Sequence, residues 1–339
     1  MSTDQSVLRG WPPVGIAVSD DTDVGRVGRL AAQAAAHQGF APDDVKRVVR
    51  AAKELATHAV THGRAGRVLV RLAQWDERRG VELISTDDVD VDADASPVRP
   101  AVIPSDLFEA YPVPGMGTVM LARFWGSPQT SPADRRYVVG SMAEPYPGET
   151  VSGDAWAVEQ HGPRVVTLVA DGIGHGEQAA VASTAAVSAF RQHHRQPVEV
   201  IAGELHRALR HTRGAAIALA EIDNDAGQVR FCGIGNISAR LLLGTRVHEL
   251  ISLYGIAGYQ RQRFQTFTQH WFDDAMLVLH SDGLSSTWDV NAYPQLHRQH
   301  PQLVAATVMR DAIRARDDAL VVAVRGVDRG LRADVARAE

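Results

Sequence analysis

Residues 165–176, Val-Val-Thr-Leu-Val-Ala-Asp-Gly-Ile-Gly-His-Gly, pass from six apolar or β-branched residues directly into one carboxylate and three glycines. An apolar run this short predicts a strand covered on both faces rather than a helix. Gly172, Gly174 and Gly176 permit positive φ and leave backbone carbonyls uncovered, which suits the approach of a cation or phosphate to the main chain. Glu177 to Gln192 is alanine-rich and free of Gly and Pro, so a helix follows. The unit delivers Asp171 to the tip of a buried strand. Alone, such a turn is more often a tight connection than a metal site, and the rest of the chain decides between the two.

The 339 residues allow two ordinary domains, each with its own core. A net charge of −5 with 22% charged residues gives no basic surplus for nucleic acid. No run approaches the ~18 apolar residues of a membrane span, and Met1 to Gly10 lack an apolar signal core. One cysteine, Cys232, excludes an internal disulfide and fits a reducing compartment. These features predict a cytoplasmic protein with neither a nucleic-acid nor a membrane partner.

Along the first half, Val14 to Val18 reads as a strand, and Asp20 to Asp23 cap a helix from Val24 to Gln38. Pro42 opens a second helix, whose Val45, Val48, Val49, Ala52, Leu55, Ala56 and Ala59 recur at helical spacing. Glu54, His58 and His62 stack along its other side, each four apart. A zinc pair of His58 and His62 lacks a third ligand at motif spacing. Val68 to Leu72 and Val81 to Ile84 form a hairpin.

The run Asp87-Asp88-Val89-Asp90-Val91-Asp92-Ala93-Asp94, followed by three prolines, opposes regular structure and predicts a solvated loop. It lacks the glycine and terminal glutamate of a calcium loop. Gly115 to Trp125 reads as a glycine turn that opens a helix.

The second half predicts strands at 136–141, 156–159, 165–170, 215–222, 229–232, 239–243, 276–280 and 319–324, with helices at 177–192, 198–209 and 302–315. Many strands with clustered helices indicate a layered α+β domain. Four acidic positions share one context. Asp154 adjoins a strand, Asp171 and Asp282 each end one in an Asp-Gly turn, and Asp317-Asp318 precede another. Each aspartate alone reads as a turn residue. Together, without His or Cys partners, they suit an oxygen-only Mg²⁺ or Mn²⁺ site rather than zinc. Two such ions could activate a water and clamp a phosphoryl group, which is phosphate ester hydrolysis.

Ser-Gly-Asp at 152–154, Asp-Gly-Ile-Gly-His-Gly at 171–176, Gly-Ile-Gly-Asn at 233–236, Ser-Asp-Gly-Leu at 281–284 and Asp-Asp-Ala at 317–319 resemble, in order, the motifs of the SpoIIE-like branch of PP2C-type (PPM) serine/threonine phosphatases, with the compact RsbX-type enzymes nearest. The resemblance implies an α-β-β-α layered domain with two Mn²⁺ or Mg²⁺ ions at one end. It implies Asp171 as the bridging ligand, the Gly172 carbonyl as another, and Asp154, Asp282, Asp317 and Asp318 around them. His175 becomes the candidate proton donor to the leaving oxygen. Many relatives carry a second Asp shortly after Asp154, where this chain has Ala155, Trp156 and Ala157.

Glu54-Leu55-Ala56-Thr57-His58 resembles the helix of GHKL-type ATP-binding domains of RsbT- and RsbW-like kinases, with His58 where the family has a magnesium-binding asparagine. Gly115-Met116-Gly117 resembles the phosphate-side glycine turn, whereas the adenine loop expected near Asp87 contains no glycine. Glu54, His58, Gly115 and Gly117 thus outline a degenerate nucleotide site. Imidazole is a poor magnesium ligand and five acids repel triphosphate, so ATP binding is not favoured.

The whole reads as an α+β chain. Residues 1–126 form a GHKL-type α/β sandwich, 127–135 a linker, 136–326 the phosphatase domain and 327–339 a tail. The implied substrate is a phosphorylated STAS-domain or other sigma-factor regulator. The alternatives are a bifunctional kinase/phosphatase switch and a non-catalytic partner-switching scaffold.

Overall fold

A computed structural model describes residues 2–4, 13–62, 66–75, 78–88, 103–126, 136–259 and 264–327. The expected linker at 127–135, the tail beyond Val327 and the acidic run beyond Asp88 lie outside them. The chain divides into two compact units, Ser6–Ser131 and Pro132–Glu339 together with Met1–Gln5. Within the latter unit, β1 (Ser2–Asp4) pairs antiparallel with β8 (Asp154–His161).

The Ser6–Ser131 unit is a five-stranded antiparallel sheet under two helices. In chain order its elements are β2 (Val14–Val18), α1 (Asp21–His37), α2 (Pro42–His62), β3 (Gly66–Trp75), β4 (Arg78–Thr86), β5 (Leu107–Val113) and β6 (Gly117–Trp125). The sheet order is β2-β3-β4-β6-β5. Asp20 caps α1 by accepting from the Asp23 N–H at 3.0 Å. Val27, Ala31, Val48, Ala52, Leu55 and Ala56 meet Val68, Val70, Val81, Leu83 and Met120 in a fully buried core. Each large apolar side chain there contributes roughly 1.5–3 kcal/mol.

One expected element of this unit is corrected. Gly115 to Trp125 does not open a helix: Gly115, at φ 75°, turns the chain from β5 into β6. Met120, Leu121 and Ala122 are good helix formers. Pairing on both sides, with β4 and β5, overrides that local preference. Leu107–Val113, to which the sequence reading assigned no element, forms β5, and Pro112 is tolerated because β5 is the sheet edge.

The second unit continues with β7 (Tyr137–Glu144), β8, β9 (Arg164–Gly172), α3 (Glu177–His193), α4 (Val198–Ala208), β10 (Ala215–Asp223), β11 (Gln228–Ile234) and β12 (Ser238–Leu243). It closes with β13 (Arg246–Leu250), β14 (Ser252–Leu253), β15 (Phe267–His270), β16 (Met276–His280), α5 (Pro301–Ala312) and β17 (Ala319–Gly326). One sheet runs β1-β8-β9-β10-β11-β14, with β15 also on β11; the other runs β13-β12-β16-β17-β7. Helices α3 and α4 cover the first sheet, α5 packs on β7 and β17, and β17 meets β8 across the inter-sheet core. This is the expected α-β-β-α layering. Helix α5 docks closely because Gly140 leaves room: a Cβ there would lie 2.1 Å from the Gln302 nitrogen. The Gln302 amide then bonds both the N–H and the carbonyl of Ser141, at 3.0 and 2.9 Å.

Candidate metal centre

Strand register brings the acids together. In the β8–β9 pair Asp154 stands directly opposite Asp171. Strands β16 and β17 are antiparallel, with His280 opposite Val321, so the end of β16 and the start of β17 share one edge. That edge carries Asp282 on one side and Asp317-Asp318 on the other. The two sheets are joined there by Ser281, whose hydroxyl donates to Asp154 Oδ2 at 2.6 Å and accepts from the Leu320 N–H at 2.9 Å.

Glycines make the approach possible. A Cβ on Gly172 would stand 2.2 Å from the Ala179 carbonyl oxygen of α3, and one on Gly153 would stand 2.8 Å from Asp318 Oδ2. Only bare backbone lets helix, turn and both strand tips meet here.

Mutual repulsion follows. Burial, then the Asp171 charge, pushes the Asp154 carboxyl well above the usual carboxylate range. Asp171 rises to about 8, through burial first and then the charges of Asp282, Asp317 and Asp318. Asp282 is raised by burial and by Asp317, although Asn236 donates to its Oδ2 at 2.6 Å. Asp318 is raised chiefly by burial, while its Oδ1 accepts from the Tyr146 N–H at 2.8 Å. The buried Asp154 Oδ1 has no hydrogen-bond donor.

A buried, donorless carboxylate oxygen among acids that raise one another's pKa suits a hard divalent cation. Among the described residues, no group of three or more Asp, Glu, His or Cys side chains is placed to hold a metal ion by itself. Backbone carbonyl and water ligands would complete the sphere, as magnesium and manganese accept.

His175 lies outside this cluster, on the exposed face of the glycine turn. Its ring stacks on Tyr146, with centroids 4.2 Å apart and 12° between planes, and its Nδ1 lies 3.1 Å from Glu149 Oε1. Tyr146 and Glu149 escaped the sequence reading because they act across a gap in sequence that no local pattern marks.

In the first unit, His58 Nδ1 lies 3.6 Å from Asp87 Oδ2, and Asp87 Oδ1 accepts from the Thr118 N–H at 2.8 Å. Asp87 is therefore buried structure rather than a solvated loop acid. Gly117, at φ 95°, packs so tightly that a Cβ would meet the Asp87 carbonyl oxygen at 2.1 Å. It begins β6, so this turn presents no helix N-terminus to a phosphate. Gly115 lies in the preceding hairpin turn, and Glu54 sits on the partly exposed face of α2.

Comparison with known proteins follows this division. A family model described as Stage II sporulation protein E (SpoIIE) matches residues 161–326, and one described as a histidine kinase-like ATPase domain matches residues 17–134. The phosphoserine phosphatase RsbX of Bacillus subtilis (strain 168) is 26% identical over 141 residues, covering 41% of this chain and 70% of RsbX. A solved structure of RsbX in complex with magnesium shares the fold at TM-score 0.52 and 18% identity, covering 59% of this chain and 98% of that one. A chain from the structure described as "The bacterial stressosome: a modular system that has been adapted to control secondary messenger signaling" is similar at TM-score 0.52 and 27% identity, covering 56% of this chain and all of that one. Asp171, Asp282, Asp317 and Asp318 fall inside the SpoIIE match, and Asp154 just ahead of it. Residues 161–326 therefore carry a SpoIIE-family phosphatase domain, in one chain with a histidine kinase-like ATPase domain at residues 17–134.

Proposed function

We propose that the chain removes phosphate from a serine or threonine of a phosphorylated STAS-domain protein that controls a sigma factor, in the cytoplasm. The observation that carries the reading is the meeting of Asp154 and Asp171 with Asp282, Asp317 and Asp318 at one sheet edge. Asp154, Asp171, Asp282, Asp317, Asp318 and the Gly172 carbonyl would hold two Mn²⁺ or Mg²⁺ ions. When bound, these supply positive charge to the phosphoryl oxygens and acidify a water. His175, oriented by Tyr146 and Glu149, donates a proton to the departing serine or threonine oxygen. Residues 1–126 act as a regulatory or docking module whose nucleotide site has decayed. The similarity to the phosphoserine phosphatase RsbX supports a phosphorylated serine as the substrate group.

The full chain is expected to hydrolyse para-nitrophenyl phosphate and a phosphoserine STAS protein with Mn²⁺ or Mg²⁺, and neither in EDTA. Turnover that persists in EDTA would remove the metal mechanism. Failure on phosphorylated STAS proteins, with para-nitrophenyl phosphate still cleaved, would remove the assigned substrate.

Stability should report the same site. Asp171 titrates near 8 when folded, against an ordinary value of 3.8, so its neutral form favours the fold. That contribution is complete below about pH 4 and is lost as pH rises through 8. Asp154, Asp282 and Asp318 are shifted in the same direction. The EDTA-treated protein should therefore melt lower at pH 8 than at pH 6, and Mn²⁺ should raise the melting temperature most at pH 8. A metal-free melting temperature that is flat or rises over this range would contradict the clustered acids.

A further inference from the structure

A cleft of about 430 Å³ is lined by Asp282, Gly283 and Asp317 and also by Arg314 and Arg316. Both arginines lie on the exposed segment between α5 and β17. Two backbone hydrogen bonds lace its start to the Asp282 turn, Ser285 N–H to the Ala312 carbonyl at 2.8 Å and Arg314 N–H to the Gly283 carbonyl at 2.9 Å, and together they make an antiparallel bridge between Leu284 and Ile313. Between the two arginines, Ala315 adopts φ 49°, one of only two positive values at non-glycine positions among the described residues. For alanine this costs roughly 1–2 kcal/mol. Such strain persists where its surroundings over-determine it, and ligand clamps are one such place. Here it turns the chain sharply between the anchored Arg314 and Asp317.

Charge gives the cleft its occupant. With two divalent ions bound, the five carboxylates would leave one negative charge, against which a phosphomonoester dianion would be repelled. Two guanidiniums reverse the sign. Arg314 already acts on Asp282, lowering its carboxyl against the effect of burial. Guanidinium is the cation best shaped to take phosphate oxygens in pairs.

We propose that Arg314 and Arg316 are the phosphate-binding residues of this chain, taking the non-bridging oxygens of the phosphoserine or phosphothreonine in the cleft. The inference rests on the phosphatase reading above, and the test separates the two. Inorganic phosphate is titrated calorimetrically into the Mn²⁺-loaded full chain, beside kcat and KM for para-nitrophenyl phosphate and the Mn²⁺ affinity. Arg314→Gln and Arg316→Gln should each weaken phosphate binding and raise KM about tenfold, and the double variant more than either. Mn²⁺ affinity should not fall in either variant, because neither arginine is a proposed ligand and removing a guanidinium beside Asp282 takes away a positive charge that opposes a cation. Arg→Lys at either position should recover part of the loss, keeping the charge without the fork. Both side chains are exposed, so these variants fold. Unchanged phosphate affinity in the double variant, with wild type binding normally, overturns the assignment and leaves the phosphatase reading intact. A wild-type protein that neither binds phosphate nor hydrolyses the ester overturns both.

Discussion

Asp171→Asn is expected to lower metal-dependent hydrolysis by ~10³-fold or more, the scale associated with losing a central electrostatic group. The substitution keeps the shape of the side chain and removes its charge. Asp154, directly opposite on β8, then loses the neighbour that raises its pKa after burial. Without metal the variant should therefore melt no lower than wild type, because a costly buried carboxylate has been replaced by an amide. Its stabilisation by Mn²⁺ should largely vanish. Calorimetry and phosphate release on one preparation check both halves. Wild-type turnover in the variant would end the mechanism, and a lower metal-free melting temperature would show that Asp171 is structural rather than poised for a cation.

Gly283→Ala should have the largest effect on folding. A Cβ there would lie 2.0 Å from the Asp318 carbonyl oxygen and 3.0 Å from the Ala319 Cα. These are backbone atoms at the start of β17 and cannot swing aside as a side chain would. Overpacking of this kind costs about 1–3 kcal/mol. In a unit of this size that lowers the melting temperature by roughly 5–10 °C. The clash also forces the Asp282 turn away from Asp318, so Mn²⁺ affinity should fall about tenfold along with stability. Gly148→Ala is the matched control, since that glycine has φ 95° with nothing within 4 Å of an added Cβ. It should bear only the backbone cost, ~1 kcal/mol, with metal affinity unchanged. A Gly283→Ala protein that melts and binds Mn²⁺ like wild type would show that the edge is looser than described.

The sequence was most legible where one residue carries both the structural and the chemical signal. The apolar run before Asp171 marks a strand whatever it packs against, and β9 runs Arg164–Gly172 as that pattern required. The pairing of Asp154 with Asp171 was not legible in this way, because register arises from the whole β8–β9 ladder. Strand β6 was misread since Met120, Leu121 and Ala122 favour helix locally and only their neighbours make them strand. Asp87 misled for the opposite reason. Its company is acidic and proline-rich, yet its own carboxylate holds the Thr118 N–H. Tyr146 and Glu149 reach His175 from another segment, and Ala315 gives no sign of a left-handed kink. Contacts made across the sheet edge are invisible to any local periodicity.

The hydroxyl of Ser281 gives the fold a mechanical property. It holds Asp154 of one sheet and the Leu320 amide of the other, so the two sheets cannot slide past each other without stretching a bond to the site. Shear in the sandwich and the seating of Asp154 are one coordinate.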